Sequence, residues 1–122
     1  MTRLAVVEDN PDNRLLLQAM LGDSYEIAEY ASGQEALDGV RISPPDLMLL
    51  DISLPEMDGI EVLRRLRAAK DTAGLPVIAV TAHAMAGDRE RFLAHGFDGY
   101  VTKPIVDSDE LIAAIEQLVW HN

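Results

Sequence analysis

Three short apolar runs, each broken off by polar residues, most constrain what this chain can fold into. They are Leu4-Ala5-Val6-Val7 before Glu8-Asp9, Leu47-Met48-Leu49-Leu50 before Asp51, and Val77-Ile78-Ala79-Val80 before Thr81. None alternates apolar with polar residues, so none has a solvated face. Such runs suit central strands of a parallel sheet, buried on both sides. Open α/β sheets place their chemistry at the carboxyl ends of these strands. Asp51 is the sharpest case, because a carboxylate at the edge of a core needs a partner or a reaction.

Amphipathic segments with helix-start signals separate the runs. Asn10 reads as an N-cap with Pro11 at the first helical position, opening a helix that carries Leu15, Leu16, Met20 and Leu21 and ends near Gly22. Tyr25-Glu26-Ile27-Ala28-Glu29-Tyr30 reads as a second strand, with Glu26 and Glu29 suited to an edge. Ser32-Gly33-Gln34-Glu35 is a capping box for a second helix, stopped before Ser43-Pro44-Pro45. Asp58 with Glu61 caps a third, whose stripe of Ile60, Leu63 and Leu66 runs to about Ala69 before a loop at Asp71-Thr72-Ala73-Gly74. Gly87-Asp88 starts a short helix through Phe92 and Leu93, terminated by Gly96. Tyr100-Val101 forms a short fifth strand leading to Thr102-Lys103-Pro104. Asp107 with Glu110 caps the last helix, with Leu111, Ile112, Ile115, Leu118 and Val119 on one face.

Five strands alternating with five helices predict one α/β domain over residues 1–122, a doubly wound parallel sheet. Right-handed crossovers and three fully apolar strands favour the order 2-1-3-4-5, with a crevice between strands 1 and 3. Glu8, Asp9, Asp51, Thr81 and Lys103 then gather at one edge.

A net charge of −11 argues against nucleic acid as a partner. The absence of cysteine removes disulfides, thiolate catalysis and Cys-based zinc sites. No apolar run approaches the roughly 20 residues of a membrane span. No signal peptide is visible, so the cytosol is the default compartment and no membrane partner is expected.

Three carboxylates at one site repel one another unless a cation joins them. Carboxylates with a backbone carbonyl and water suit Mg²⁺. Asp51 could then attack a phosphoryl group, with Mg²⁺ and Lys103 neutralising its oxygens and the Thr81 hydroxyl donating to one of them.

In these motifs the chain resembles the receiver domains of two-component response regulators, which share the flavodoxin-like fold. The resemblance lies in Val7-Glu8-Asp9-Asn10, Leu50-Asp51-Ile52-Ser53-Leu54-Pro55-Glu56-Met57-Asp58-Gly59, Val80-Thr81-Ala82 and Thr102-Lys103-Pro104-Ile105, and it covers essentially the whole chain. It implies that Asp51 is phosphorylated by a histidine kinase or a histidine phosphotransfer protein. Asp9, Asp51 and the Ser53 carbonyl would hold Mg²⁺, with Glu8 acting largely through water. Thr81 and Tyr100 match the family's switch pair, Lys103 matches its phosphate-contacting lysine, and Ala82 would also contact the phosphate. The Lys103-Pro104 bond matches one that is commonly cis in the family. The resemblance implies a signalling phosphoacceptor rather than an enzyme acting on other substrates. Readout would be through the fourth helix, fifth strand and fifth helix, where Met85, Arg89, Tyr100 and Trp120 could meet a partner.

Ala82-His83-Ala84-Met85-Ala86-Gly87-Asp88-Arg89-Glu90 is similar to stand-alone DivK-type regulators and to receivers attached to hybrid kinases. Only Trp120-His121-Asn122 follows the last helix, so no output domain is expected. Ser53 departs from the larger or amide side chains common at its position, which bears on phosphate lifetime. His83 either influences water attack on the phosphate or is an exposed loop residue. His95 and His121 have no ligand spacing.

Two other α/β functions fit less well. Haloacid-dehalogenase-type phosphatases carry a second Asp two residues beyond the nucleophile, where this chain has Ser53. A nucleotide or flavin module wants a Gly-rich first turn, whereas Glu8-Asp9-Asn10-Pro11-Asp12 would repel phosphate.

Overall fold

In a computed structural model strand and helix alternate along the chain, and residues 2–82, 87–103, 105 and 108–119 are described. The elements are β1 (Arg3–Val7), α1 (Pro11–Leu21), β2 (Glu26–Tyr30), α2 (Gly33–Ile42), β3 (Leu47–Asp51), α3 (Gly59–Ala68), β4 (Val77–Thr81), α4 (Asp88–His95), β5 (Gly99–Thr102) and α5 (Ser108–Val119). All strand pairs are parallel, in the order β2-β1-β3-β4-β5. This is the order that the apolar runs and right-handed crossovers favour, and the flavodoxin-like fold that the resemblance implies. The Asp107 cap, the Lys103-Pro104 bond and the roles raised for His83, Met85, Trp120 and His121 fall outside the described residues.

The helix starts follow the expected chemistry. Asn10 Oδ1 accepts from the Asp12 and Asn13 amides at 2.8 and 3.4 Å, Ser32 Oγ from Glu35 at 3.2 Å, and Asp58 Oδ1 from Glu61 at 2.9 Å. Each bond satisfies a donor that the first helical turn would leave open. Gly96, at φ 108°, closes α4 in the left-handed region that favours glycine.

Alternation along the strands sorts the core onto two faces. Leu4, Val6, Leu47, Leu49, Ile78, Val80 and Val101 pack with Leu17 and Leu21 of α1 and with Leu111 and Ile115 of α5. Ala5, Val7, Met48, Leu50, Val77 and Ala79 pack with α2, α3 and Phe92 of α4. Burial of each large aliphatic side chain contributes about 1.5–3 kcal/mol.

Helix α1 differs from its sequence reading. Leu17 and Leu21 are its buried residues, whereas Leu15 and Leu16 are 70% and 43% exposed. The 17/21 pair faces the sheet, and that rotation turns the two leucines just before it outward.

At the amino ends of β4 and β5, one side chain ties three elements together. Arg67 Nη1 donates to the carbonyls of Leu75 and Ala73 at 2.7 and 3.2 Å, and Nη2 to the Gly96 carbonyl and Asp98 Oδ2 at 3.0 and 2.9 Å. Asp98 Oδ2 also accepts from the Val77 amide at 2.9 Å.

Candidate phosphoacceptor site

Glu8 follows β1, Asp51 ends β3, Thr81 ends β4 and Lys103 follows β5, so all four reach the carboxyl edge of the sheet. Carboxylate oxygens of Glu8, Asp9 and Asp51 lie within 4.8 Å of one another. Glu8 and Asp51 are buried, at 2% and 4% exposure, while Asp9 is exposed. Lys103 Nζ donates to Asp51 Oδ2 at 2.8 Å and also to Glu8 Oε1.

The loop after β3 is shaped around Asp51. Its Oδ1 accepts from the Ser53 amide at 2.9 Å, and the Ile52 amide donates to the Val80 carbonyl at 3.0 Å. The Gly59 amide then donates back to the Ile52 carbonyl at 3.0 Å. A Cβ on Gly59 would lie 2.6 Å from the Asp51 carbonyl oxygen and 2.8 Å from Ile52 Cα, so only glycine lets α3 start this close. Glu56, at φ 65°, is a non-glycine residue held in the left-handed region within the same loop.

The charges interact strongly. Burial pushes the Glu8 carboxyl up, and Asp51 adds to that; hydrogen bonds from Lys103 and the Asn10 amide oppose it without cancelling it. Burial pulls the Lys103 ammonium down, but hydrogen bonds to Asp51 and Glu8 outweigh that and leave it raised. Both directions have one origin. Two acids share one ammonium in a place shielded from water, so the ammonium keeps its proton and the buried Glu8 carboxylate takes one up more readily than a free one.

The donor set fits Mg²⁺: clustered carboxylate oxygens, hard and anionic, with one exposed member open to solvent and, among the described residues, one ammonium for compensation. Beside the acids lies a cavity of about 390 Å³ lined by Glu8, Asn13, Leu16, Leu17, Val80, Ala82, Lys103 and Ile105. It is polar at the acid end and apolar along α1.

Of the residues singled out in the sequence, Glu8, Asp9, Asp51 and Lys103 meet directly. Ser53 and Ala82 flank them as exposed loop residues, and Thr81 is buried at the neighbouring strand end, its carbonyl accepting from the Lys103 amide at 2.8 Å. Tyr100 is set further back. It pairs with Ala79 in the β4–β5 register, while Thr81 pairs with Thr102. Its ring is half-buried against the α4 side of the core.

Sequence reasoning missed two residues of the first turn of α1. Asn13 Nδ2 donates to Glu8 Oε1 at 3.2 Å, and Arg14 Nη1 donates to the carbonyls of Glu8 and Asp9 at 2.8 and 3.2 Å. Asn13 sits three residues after a cap and reads as ordinary helix start, so only its distance from Glu8, five residues along, hints at contact.

Comparison with known proteins agrees with this geometry. The chain is 46% identical over 101 residues, 82% of each chain, to the polar-differentiation response regulator DivK of Brucella ovis. It is 43% identical over 115 residues to an uncharacterized 14.6 kDa protein of Leptolyngbya boryana, covering 93% of this chain and 87% of that one. Among solved structures, it superposes with a TM-score of 0.88 at 33% identity, over 98% of both chains, on the receiver domain of a sensor histidine kinase from Pseudomonas aeruginosa. That structure holds a magnesium ion coordinated in its active-site cleft. A putative response regulator from Chloroflexus aurantiacus gives a TM-score of 0.90 at 28% identity, also over 98% of both chains. Among the described residues no helix is long and apolar enough to cross a membrane. With residues 4–116 matching the response regulator receiver domain, the chain belongs to that family of two-component signalling domains, which interact with histidine kinases or phosphotransfer proteins.

Proposed function

We propose that Asp51 is the phosphoacceptor, taking a phosphoryl group from a phosphohistidine on a histidine kinase or phosphotransfer protein. One observation carries the reading: three carboxylates converge at the strand ends, and Lys103 reaches both buried ones. An Asp51 oxygen attacks phosphorus, the P–N bond breaks, and the imidazole leaves with the bonding pair. Lys103 supplies a fixed positive charge where phosphoryl charge gathers, and the Thr81 hydroxyl and the backbone at Ala82 lie at the same edge to receive its oxygens. Glu8, Asp9, Asp51 and the Ser53 carbonyl would hold Mg²⁺. When bound, the ion neutralises acids and phosphoryl oxygens together. Ser53, short and exposed, leaves room for water near the phosphate and bears on its lifetime.

The signal leaves through Thr81 and Tyr100. A bond from Thr81 to phosphate, worth about 1.5–3 kcal/mol, is large enough to shift a two-state equilibrium about tenfold. Tyr100 then changes its packing, and the face formed by α4, β5 and α5 reads the change to a downstream protein.

The test is incubation with acetyl phosphate and Mg²⁺, read by intact mass. Wild type gains one phosphoryl group, and Asp51→Asn gains none. A full adduct in Asp51→Asn would sink the assignment.

A further inference from the structure

We propose that Asn13 is a positioning residue: its side-chain amide holds the Glu8 carboxylate in place, freeing Lys103 to engage the phosphoryl group. The proposal rests on the phosphoacceptor reading of Asp51 given above.

Glu8 is almost wholly buried and receives three donors. Lys103 Nζ and Asn13 Nδ2 share Oε1, and the Asn10 amide takes Oε2 at 3.2 Å. Lys103 at the same time serves Asp51 Oδ2. An ammonium has three protons, and two already point at carboxylates. A phosphoryl group arriving on Asp51 brings further acceptor oxygens to the same ammonium. Lys103 meets them by turning away from Glu8, because Asp51 is where the new group sits. Without another donor that turn would strand Oε1 of a buried carboxylate, a costly state. Asn13 keeps the oxygen satisfied through the exchange.

Other contacts support this assignment. Arg14 fixes the backbone of the same segment through the Glu8 and Asp9 carbonyls, and its Nε lies 3.4 Å from Glu29 on the edge strand. Backbone and side chain of Glu8 are therefore held by consecutive residues of one helical turn. The chemistry also requires an amide: turned the other way, the Asn13 oxygen would face a carboxylate oxygen, so Nδ2 must point inward. Asn13 is half-buried beside Leu16 and Leu17, a setting that accepts an apolar side chain.

The test uses Asn13→Leu and Asn13→Ala in the full chain. Leucine is close in volume and a better helix former, so Asn13→Leu should melt at or above wild type. Phosphorylation by acetyl phosphate at saturating Mg²⁺ should nevertheless slow about tenfold in both variants, with the Mg²⁺ half-saturation point moving less than about threefold. A rate equal to wild type, or one restored by added Mg²⁺ alone, overturns the proposal. A second readout needs no phosphate. The ¹⁵N-labelled side-chain amide of Asn13 should exchange with solvent about tenfold more slowly than that of exposed Gln18, and equal exchange overturns the proposal. If wild type itself takes no phosphoryl group, the phosphoacceptor reading fails, and the amide exchange still decides whether Asn13 holds Glu8.

Discussion

The Tyr100 ring lies on the Phe92 ring, with centroids 5.6 Å apart and planes 25° from parallel. Phe92 meets Phe97 edge-on at 5.9 Å and 88°. Tyr100 is thus the outer member of an aromatic stack that joins β5 to α4. Such a pair contributes about 0.5–1.5 kcal/mol beyond its buried area, enough to bias the ring and small enough for a phosphate-dependent contact to overcome. In wild type, phosphorylation or a phosphoryl mimic should change amide exchange across α4 and β5. Thr81→Ala should still take phosphate on Asp51 yet lose most of that change. An identical exchange response in Thr81→Ala and wild type would disprove the coupling.

Magnesium should stabilise the protein by mass action, by about 2.7 kcal/mol at a hundredfold excess over its dissociation constant. Asp9 is the exposed member of the acidic cluster, so Asp9→Ala removes a proposed ligand while leaving the buried contacts among Glu8, Asp51 and Lys103 intact. The melting shift on adding Mg²⁺ should largely vanish in that variant. An unchanged shift would place the ion elsewhere.

Gly59→Ala sets a methyl group against the Asp51 carbonyl and Ile52 Cα, both backbone atoms that cannot swing aside. Urea unfolding should show a loss of about 1–3 kcal/mol. Phosphorylation should slow as well, because the displaced loop follows directly on Asp51, the proposed phosphoacceptor. A stability loss with an unchanged rate would show that α3 moves instead of the loop.

Arg67→Ala tests the opposite edge of the sheet. It removes four hydrogen bonds, one to a carboxylate, from three connected elements. The expected loss is about 2–3 kcal/mol in urea. The phosphorylation rate should not change, since the substitution lies a full strand length, about 17 Å, from Asp51.

Glu61 offers a test of pH dependence on the surface. Hydrogen bonds from Arg64 and Arg65 hold its carboxyl down to about 2. A lowered acid contributes stability that is complete above the ordinary value of 4.5 and is lost as pH falls from there toward 2. The side chain is a third exposed, so salt should shrink the effect. The carboxyl carbon shift of Glu61 should titrate near 2 and move up toward 4.5 in Arg64→Ala, with the larger movement at low ionic strength.

The strands were legible because β1, β3 and β4 are uninterrupted apolar runs, and their ends fix where Glu8, Asp51 and Thr81 must lie. Sheet order followed from which strands lacked a polar face, taken together with right-handed crossovers. The inward side of α1 was not legible, since leucines at 15, 16, 17 and 21 allow more than one buried stripe. Nor could sequence show that one ammonium serves two acids, or that Arg67 reaches residues 29 and 31 positions away. Those contacts depend on side-chain reach across elements, which no local period records.

Strand parity has a further consequence. Asp51 continues the side of β3 that holds Leu47 and Leu49 against α1 and α5, and Glu8 and Lys103 join it there. Thr81 continues the side of β4 that holds Val77 and Ala79, the side on which Tyr100 packs with α4. The sheet therefore stands between the acid–ammonium cluster and the Tyr100–Phe92 stack, and Thr81 lies at the rim where the two sides meet. Of the proposed readout face, α4 lies on the side away from Asp51 while α5 shares the side of Asp51, so a listener that grips both helices must reach round the edge strand β5.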